Sequence, residues 1–139
     1  MTNEISKPIL VVEDEADLRE NLKALLELEG YHVDTAAHGR EALDYLERSD
    51  KKPGLILLDL MMPVMNGLEF LVELKKRLPS LPIPVIVISA VADGIERVAA
   101  TGYIKKPINL DLLLSLASQY CGPTNSHGGP NSTTMLQAS

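Results

Sequence analysis

The stretch LILLDLMMPVMNG, residues 55–67, contains an apolar run of four residues that stops at Asp59. A run that is apolar on both faces is typical of a central strand in a parallel sheet, because helices cover both faces of such sheets. Beyond a loop that holds Pro63, Asn66 can cap a helix and Glu69 can complete a capping box with it. The stretch therefore predicts a buried strand, a loop and a helix, with Asp59 where the strand ends.

Short apolar runs alternate with stretches of helical period along the rest of the chain. Strands are predicted at residues 9–12, 33–37, 55–58, 83–88 and 103–104. Helices are predicted from apolar residues at the spacing of one helix face: Leu18, Leu22, Leu25 and Leu26; Leu43 and Leu46; Leu68, Leu71, Leu74 and Leu78; and Leu113, Leu116, Ala117 and Tyr120. Gly30 is placed to end the first helix and Asn109 to cap the last, and residues 93–100 can form only a short helix. This alternation predicts an α/β fold, an open doubly wound parallel sheet of five strands with helices on both faces.

The composition indicates one domain with an aliphatic core. Of the 139 residues, 45% are hydrophobic, but only 4% are aromatic and none is Trp. The domain is expected over residues 8–121, after a polar extension at residues 1–7. The last stretch, residues 122–139, is rich in Gly, Ser, Asn and Thr and is expected to be a disordered tail.

Charge, cysteine content and hydropathy exclude several classes of function. The net charge of −6 argues against a nucleic-acid groove, which needs a basic patch. The lone Cys121 excludes an internal disulfide and lacks the partners of a zinc site. The apolar run after the polar N-terminus is too short for a signal peptide or a membrane span. A cytoplasmic protein that binds neither membrane nor nucleic acid is therefore expected.

Polar residues stand at or next to the ends of four predicted strands. Right-handed crossovers place the C-terminal ends of the strands along one edge of the sheet, where ligands bind in such folds. Asp14, Asp59, Ser89 and Lys106 should meet there, although they are far apart in the sequence. Such charged residues are often only a solvated loop edge, but this coincidence of four indicates a site.

The acids and the cation at this edge fit phosphoryl chemistry. With Glu13 beside Asp14 and Asp59, three carboxylates would repel one another unless a hard cation such as Mg²⁺ bound among them. Asp59, on a rigid strand, can attack phosphorus to form an acyl phosphate, although an Asp there can also cap the loop. Lys106, before Pro107, suits a phosphate oxygen. Ser89 offers a hydroxyl to the same phosphate, and the small Ala90 beside it leaves the entrance open.

Four motifs in order resemble bacterial response-regulator receiver domains, from about Pro8 to Tyr120. They are ILVVEDE at residues 9–15, the stretch at 55–67, VIVISA at 85–90 and GYIKKP at 102–107. The resemblance implies a flavodoxin-like sheet with the strand order 2-1-3-4-5. It also implies a role in two-component signal transduction.

The resemblance assigns a role to each site residue. It implies that Asp14, Asp59 and the backbone carbonyl of Met61 bind Mg²⁺, with Glu13 acting through water. Asp59 would take a phosphoryl group from the phosphohistidine of a histidine kinase, and Lys106 and Ser89 would hold it. Ser89 and Tyr103 would form a switch, in which Tyr103 rotates as the Ser89 hydroxyl moves toward the phosphate. The residues implied to shape the loops are Pro63, Gly67, Ala90 and Pro107.

One segment departs from the family pattern. The stretch from Ser89 to Lys106 is about five residues shorter than is usual in the family, which predicts, within residues 91–101, either a shortened fourth helix or a tighter loop before it. That helix belongs to the family's usual output face. Partner docking and dimerisation through this face are therefore outside what the resemblance implies.

Several functions remain open at this point. The leading hypothesis is a phosphorylation switch that binds a partner protein and catalyses only its own phosphorylation and dephosphorylation. With no DNA-binding domain after the last helix, transcriptional output by this chain alone is not expected. A phosphorelay intermediate that passes its phosphoryl group to a histidine phosphotransfer protein is the alternative. A phosphatase with an aspartyl-phosphate intermediate is less favoured, because Met61 stands where such enzymes carry a second Asp, and the intact acids argue against a scaffold that does not use phosphate.

Overall fold

The apolar runs form parallel strands and the leucine-patterned stretches form helices. The computed structural model describes residues 7–60, 62, 64–77, 83–90 and 100–122. In chain order the elements are β1 (Ile9–Val12), α1 (Ala16–Leu28), β2 (Val33–Ala36), α2 (Gly39–Arg48), β3 (Leu55–Asp59), α3 (Gly67–Arg77), β4 (Val85–Ser89), β5 (Gly102–Lys105) and α4 (Leu110–Cys121). The short helix predicted at 93–100 and the predicted tail fall on residues outside these ranges, apart from Ala100 and Gly122.

The five strands form one parallel sheet in the order β2-β1-β3-β4-β5, which confirms the order implied by the resemblance. Strand β3 lies at the centre, and all five of its residues are buried. The register pairs Asp59 with Ile88 and Ser89 with Lys105. Because the strands are parallel, their C-terminal ends share one edge, as the sequence predicts.

Side chains that alternate along the strands build two cores, one on each face of the sheet. Leu10, Val12, Ile56 and Leu58 pack with residues of α2 and α3 on one face. Ile9, Val11, Leu55 and Leu57 pack with residues of α1 and α4 on the other. The strands are therefore apolar on both faces, which explains the continuous run before Asp59.

The predicted inner faces of two helices need correction. Leu68 was expected in the buried face of α3, but it is 50% exposed, and the buried face consists of Gly67, Phe70, Leu71 and Leu74. These four residues recur at the i, i+3, i+4, i+7 spacing of one stripe, and Leu68 lies outside it. Leu25 in α1 is likewise partly exposed, because Leu22 and Leu26 form the centre of that stripe. Leu78 lies outside the described residues.

The predicted helix ends are confirmed. Asn66 and Glu69 form a reciprocal capping box, since the Glu69 amide donates to Asn66 Oδ1 at 2.9 Å and the Asn66 amide donates to Glu69 Oε1 at 3.0 Å. The Leu112 amide donates to Asn109 Oδ1 at 3.0 Å. Gly30, which follows the C-cap residue Glu29 of α1, has a φ of 100°, which suits glycine. Within the described ranges, no helix has the length and hydropathy that a membrane span requires.

Candidate functional site

Asp59 is the last residue of the central strand, and only 5% of its surface is exposed. Strands β1 and β4 flank β3, and β1 is paired with it as far as Leu58 and β4 as far as Asp59 itself. The Asp59 backbone is therefore rigid, and its carboxylate lies at the sheet edge where the sequence places the site.

Two further acids come from the end of β1. Glu13, Asp14 and Asp59 each offer a carboxylate oxygen within 4.8 Å of the others, and we call them the acid cluster. The Glu13 amide donates to the Ala36 carbonyl at 3.0 Å, which extends the β1–β2 ladder to the first acid. Glu13 is buried and Asp14 is exposed. The structure thus brings together the three acids that the sequence predicted to meet.

The two carboxylate oxygens of Glu13 have different surroundings. Its Oε2 accepts from the Glu15 amide at 3.0 Å. Its Oε1 is buried and, among the described residues, has no hydrogen-bond partner. Burial, with a smaller contribution from the charge of Asp59, raises the pKa of Glu13 to about 7. A carboxyl oxygen in such surroundings is suited to a cation or a water molecule.

Lys106 brings an ammonium to the site. Its Nζ lies 3.7 Å from Glu13 Oε1 and 3.9 Å from Asp59 Oδ1, and its amide donates to the Ser89 carbonyl at 2.9 Å. The acid cluster has three carboxyl groups and Lys106 pairs with two of them, so an additional cation would relieve the repulsion that remains. The donor set consists of oxygens, and Glu13 Oε1 accepts no hydrogen bond among the described residues, so the set fits Mg²⁺.

The two residues of the predicted switch lie on neighbouring strands. Ser89 is buried at the end of β4, at the same sheet edge as Asp59. Tyr103 is in β5, and its side chain is 40% exposed. The predicted neighbours Ala90 and Pro107 are both exposed. Met61 and Pro63, also predicted to serve the site, lie outside the described residues.

Gly67 lets helix α3 approach the end of β3. Its amide donates to the Leu60 carbonyl at 3.0 Å. A Cβ at this position would lie 2.8 Å from the Asp59 carbonyl oxygen and 2.8 Å from Leu60 Cα. Any residue larger than glycine at position 67 would clash with the main chain of Asp59 and Leu60, which is a physical reason for the glycine at the end of the stretch 55–67.

Arg19 contacts the site although the sequence did not single it out. Its Nη1 donates to the Glu13 carbonyl at 2.9 Å and to the Asp14 carbonyl at 3.4 Å. The only signal in the sequence is a basic side chain one turn after the acids, and basic residues at such positions usually face solvent. Only the structure reveals that Arg19 contacts these two carbonyls.

Comparisons with known proteins agree with this geometry. Residues 9–118 match the family model described as the response regulator receiver domain. The chain is 42% identical over 106 residues to the transcriptional regulatory protein CpxR homolog of Haemophilus influenzae, a match that covers 73% of this chain and 44% of that protein. The chain spans about half the length of the curated relatives it matches.

Two solved structures share the fold. The response regulator protein TrrA from Thermotoga maritima, in complex with Mg²⁺–BeF, is 35% identical with a TM-score of 0.70, and the match covers 82% of this chain and 98% of that one. The chemotaxis protein CheY4 from Vibrio cholerae is 29% identical with a TM-score of 0.73, with coverage of 83% and 98%. Each match therefore extends over nearly the whole of the solved chain and over about four fifths of this one.

Proposed function

The chain belongs to the response regulator receiver domain family of two-component systems, and we propose that it is a phosphoacceptor that is phosphorylated on Asp59. One observation carries the proposal: the Asp59 carboxylate ends the central strand with a Lys106 ammonium 3.9 Å from its Oδ1 and two more acids within 4.8 Å. The nucleophile, the cation for the phosphate and the oxygen ligands for a metal thus occupy one sheet edge.

The proposed reaction is transfer from the phosphohistidine of a histidine kinase. An Asp59 oxygen attacks phosphorus, a P–O bond forms and the P–N bond breaks, and the electron pair of the broken bond stays on the imidazole nitrogen. Lys106 is placed to attract a phosphoryl oxygen, and Ser89, at the end of the next strand, can donate to another. In this proposal the chain is a signalling switch whose only chemistry is its own phosphorylation and dephosphorylation.

Asp14 and Asp59 would hold Mg²⁺, together with the backbone carbonyl of Met61 and with Glu13 through water. When bound, the cation neutralises charge on the phosphoryl oxygens. The acid cluster supports this assignment. So does TrrA, a similar chain whose structure is in complex with Mg²⁺–BeF.

The output in this proposal is altered binding of a partner protein, either a downstream effector or a phosphotransfer protein. A phosphoryl group brings a charge of about −1.5 to −2 to the site, enough to bias an element with two conformations. The proposed element is the pair of Ser89 and Tyr103. The Tyr103 side chain is 40% exposed, and this supports a side chain that can change its position.

Labelling with acetyl phosphate and Mg²⁺ tests the proposal. We expect the parent protein to form an acid-stable, hydroxylamine-sensitive phosphoprotein and Asp59→Asn to form none. Asp44→Asn is the matched control, because Asp44 is an exposed carboxylate outside the acid cluster, and it should be labelled like the parent. Equal labelling of Asp59→Asn and the parent would refute the assignment. Incubation of the labelled chain with a purified phosphotransfer protein then separates a relay role, which requires transfer, from a terminal one.

A further inference from the structure

The loop between β1 and α1 carries two of the three acids, Glu13 and Asp14. Helix α1 begins directly after it, and the residue at its N-cap position, Glu15, makes no side-chain capping hydrogen bond in the part of the chain that is described. The contact that most often fixes the entry of a chain into a helix is therefore missing here. Other contacts must hold this loop, and with it the two carboxylates, beside Asp59.

Arg19 supplies such a contact from the first turns of α1. Its Nη1 reaches the main-chain carbonyls of both acids, at 2.9 Å for Glu13 and 3.4 Å for Asp14. Because both acceptors are main-chain oxygens, the guanidinium holds the loop through these two bonds without using a carboxylate oxygen of the cluster. The Glu15 amide, 3.0 Å from Glu13 Oε2, fixes the side chain of Glu13 in the same way.

We propose that Arg19 is a positioning residue for the metal site, which holds Glu13 and Asp14 at the spacing that a divalent cation requires. The inference rests on the proposed function, since the cation is the Mg²⁺ expected at Asp59. Without Arg19, three acids within 4.8 Å of one another would repel and the loop would relax outward. A cation would then have to draw the carboxylates together again, and its affinity would fall because the ligands are no longer preorganised.

Calorimetric titration with Mg²⁺ tests the proposal. We expect Arg19→Ala to weaken Mg²⁺ binding about tenfold, the effect of losing one hydrogen bond from a charged donor. Arg19→Lys, which keeps a charged donor, should restore part of the affinity. The matched control is Lys23→Ala: Lys23 lies one turn further along α1 and pairs with Glu27 at 3.5 Å instead of with the loop. Its removal should change the affinity by less than about twofold.

Two results would overturn the role of Arg19. One is an Arg19→Ala protein that binds Mg²⁺ as tightly as the parent. The other is an equal loss in Lys23→Ala, which would attribute the effect to the net charge of α1. Comparison with Asp59→Asn separates this proposal from the function: if the parent binds Mg²⁺ no better than Asp59→Asn, the metal site and the Arg19 role fail together. If Asp59→Asn loses Mg²⁺ affinity but Arg19→Ala binds Mg²⁺ as tightly as the parent, only the proposed role of Arg19 is refuted.

Beryllofluoride binding, followed by ¹⁹F NMR, provides a readout that a merely structural role would not produce. We expect Arg19→Ala to reach the same maximal beryllofluoride occupancy as the parent. The Mg²⁺ concentration at half-maximal occupancy should be about tenfold higher than in the parent. A lower maximum at saturating Mg²⁺ would show a damaged phosphate pocket and would contradict a positioning role. Circular dichroism verifies that each variant is folded. If Arg19→Ala is not folded, Arg19→Gln, which keeps a neutral donor, is used in its place.

Discussion

Replacing Gly67 by Ala should destabilise the protein and weaken its response to Mg²⁺, although alanine is the better helix former. Gly67 begins α3 and abuts the end of β3. A Cβ there would lie 2.8 Å from the Asp59 carbonyl oxygen, from Leu60 Cα and from Leu60 Cδ2. Two of these three atoms belong to the main chain, so a change of side-chain rotamer cannot remove the clash.

The size of the effect follows from two opposing contributions. Ordinary van der Waals contact starts at 3.4 Å, so α3 and the end of β3 would have to separate by about 0.6 Å. Overpacking of this kind costs about 1–3 kcal/mol. The helix propensity of alanine over glycine returns at most about 1 kcal/mol, and less at the end of a helix. A net loss of about 1–2 kcal/mol in the free energy of unfolding is therefore expected.

Urea denaturation with and without Mg²⁺ measures both effects. The Mg²⁺-dependent gain in stability should also shrink, because the atoms that must move include the Asp59 main chain. Gly102→Ala is the matched control: among the described residues its Cβ would meet Ile86 Cδ1 alone, at 3.1 Å, and the end of that side chain can move aside. The reasoning is refuted if Gly67→Ala is at least as stable as the parent, or if it keeps the full response to Mg²⁺.

Three further outcomes are expected. Val64, 70% exposed with a φ of 65°, is β-branched in the left-handed region, so Val64→Asn should raise the free energy of unfolding by about 1 kcal/mol in urea denaturation, and no gain over Val64→Ala would contradict this. Burial and the hydrogen bond to Asp34 raise the pKa of Tyr45 to about 12, so its protonated form contributes stability that is present below pH 10 and lost between about pH 10 and 12. Urea denaturation across that range should show a decline in the parent that exceeds the decline in Tyr45→Phe by about 1 kcal/mol, a value reduced for solvent screening, and equal declines would refute the assignment. Burial raises the pKa of the Cys121 thiol to about 12, so Ellman's reagent should modify Cys121 only on unfolding, and rapid modification of the native protein would show that the thiol is accessible.

Local patterns in the sequence predicted the elements and the chemistry that depends on them. The continuous apolar run before Asp59 is typical of a strand covered on both faces. It therefore indicates both the parallel sheet and the residue at which this strand ends. The capping box of Asn66 and Glu69 depends on residues three apart, which is why it could be found without the fold. The strand order did not follow from these patterns; it came from the resemblance and the structure confirmed it.

Some errors arose where a local pattern had two solutions. Leucines at residues 68, 71 and 74 fit a helical stripe, but the single phenylalanine, Phe70, fits the same spacing with greater apolar area. The helix α3 turns Phe70 into the core, and Leu68 is left half-exposed. Periodicity alone gives the width of the stripe and not its centre, which packing against α2 and the sheet decides.

The sequence by itself determined the alternation of strands and helices, their caps, and the acids and lysine that end the strands. Only the tertiary structure decided how close these groups lie: Lys106 Nζ at 3.7 Å from Glu13 Oε1, and Arg19 behind the loop of the first two acids. The physical reason is range. Helix periods and caps depend on neighbours within a few residues, whereas the burial of Glu13 and the spacing of the cluster depend on strands that the sheet brings together from distant parts of the chain.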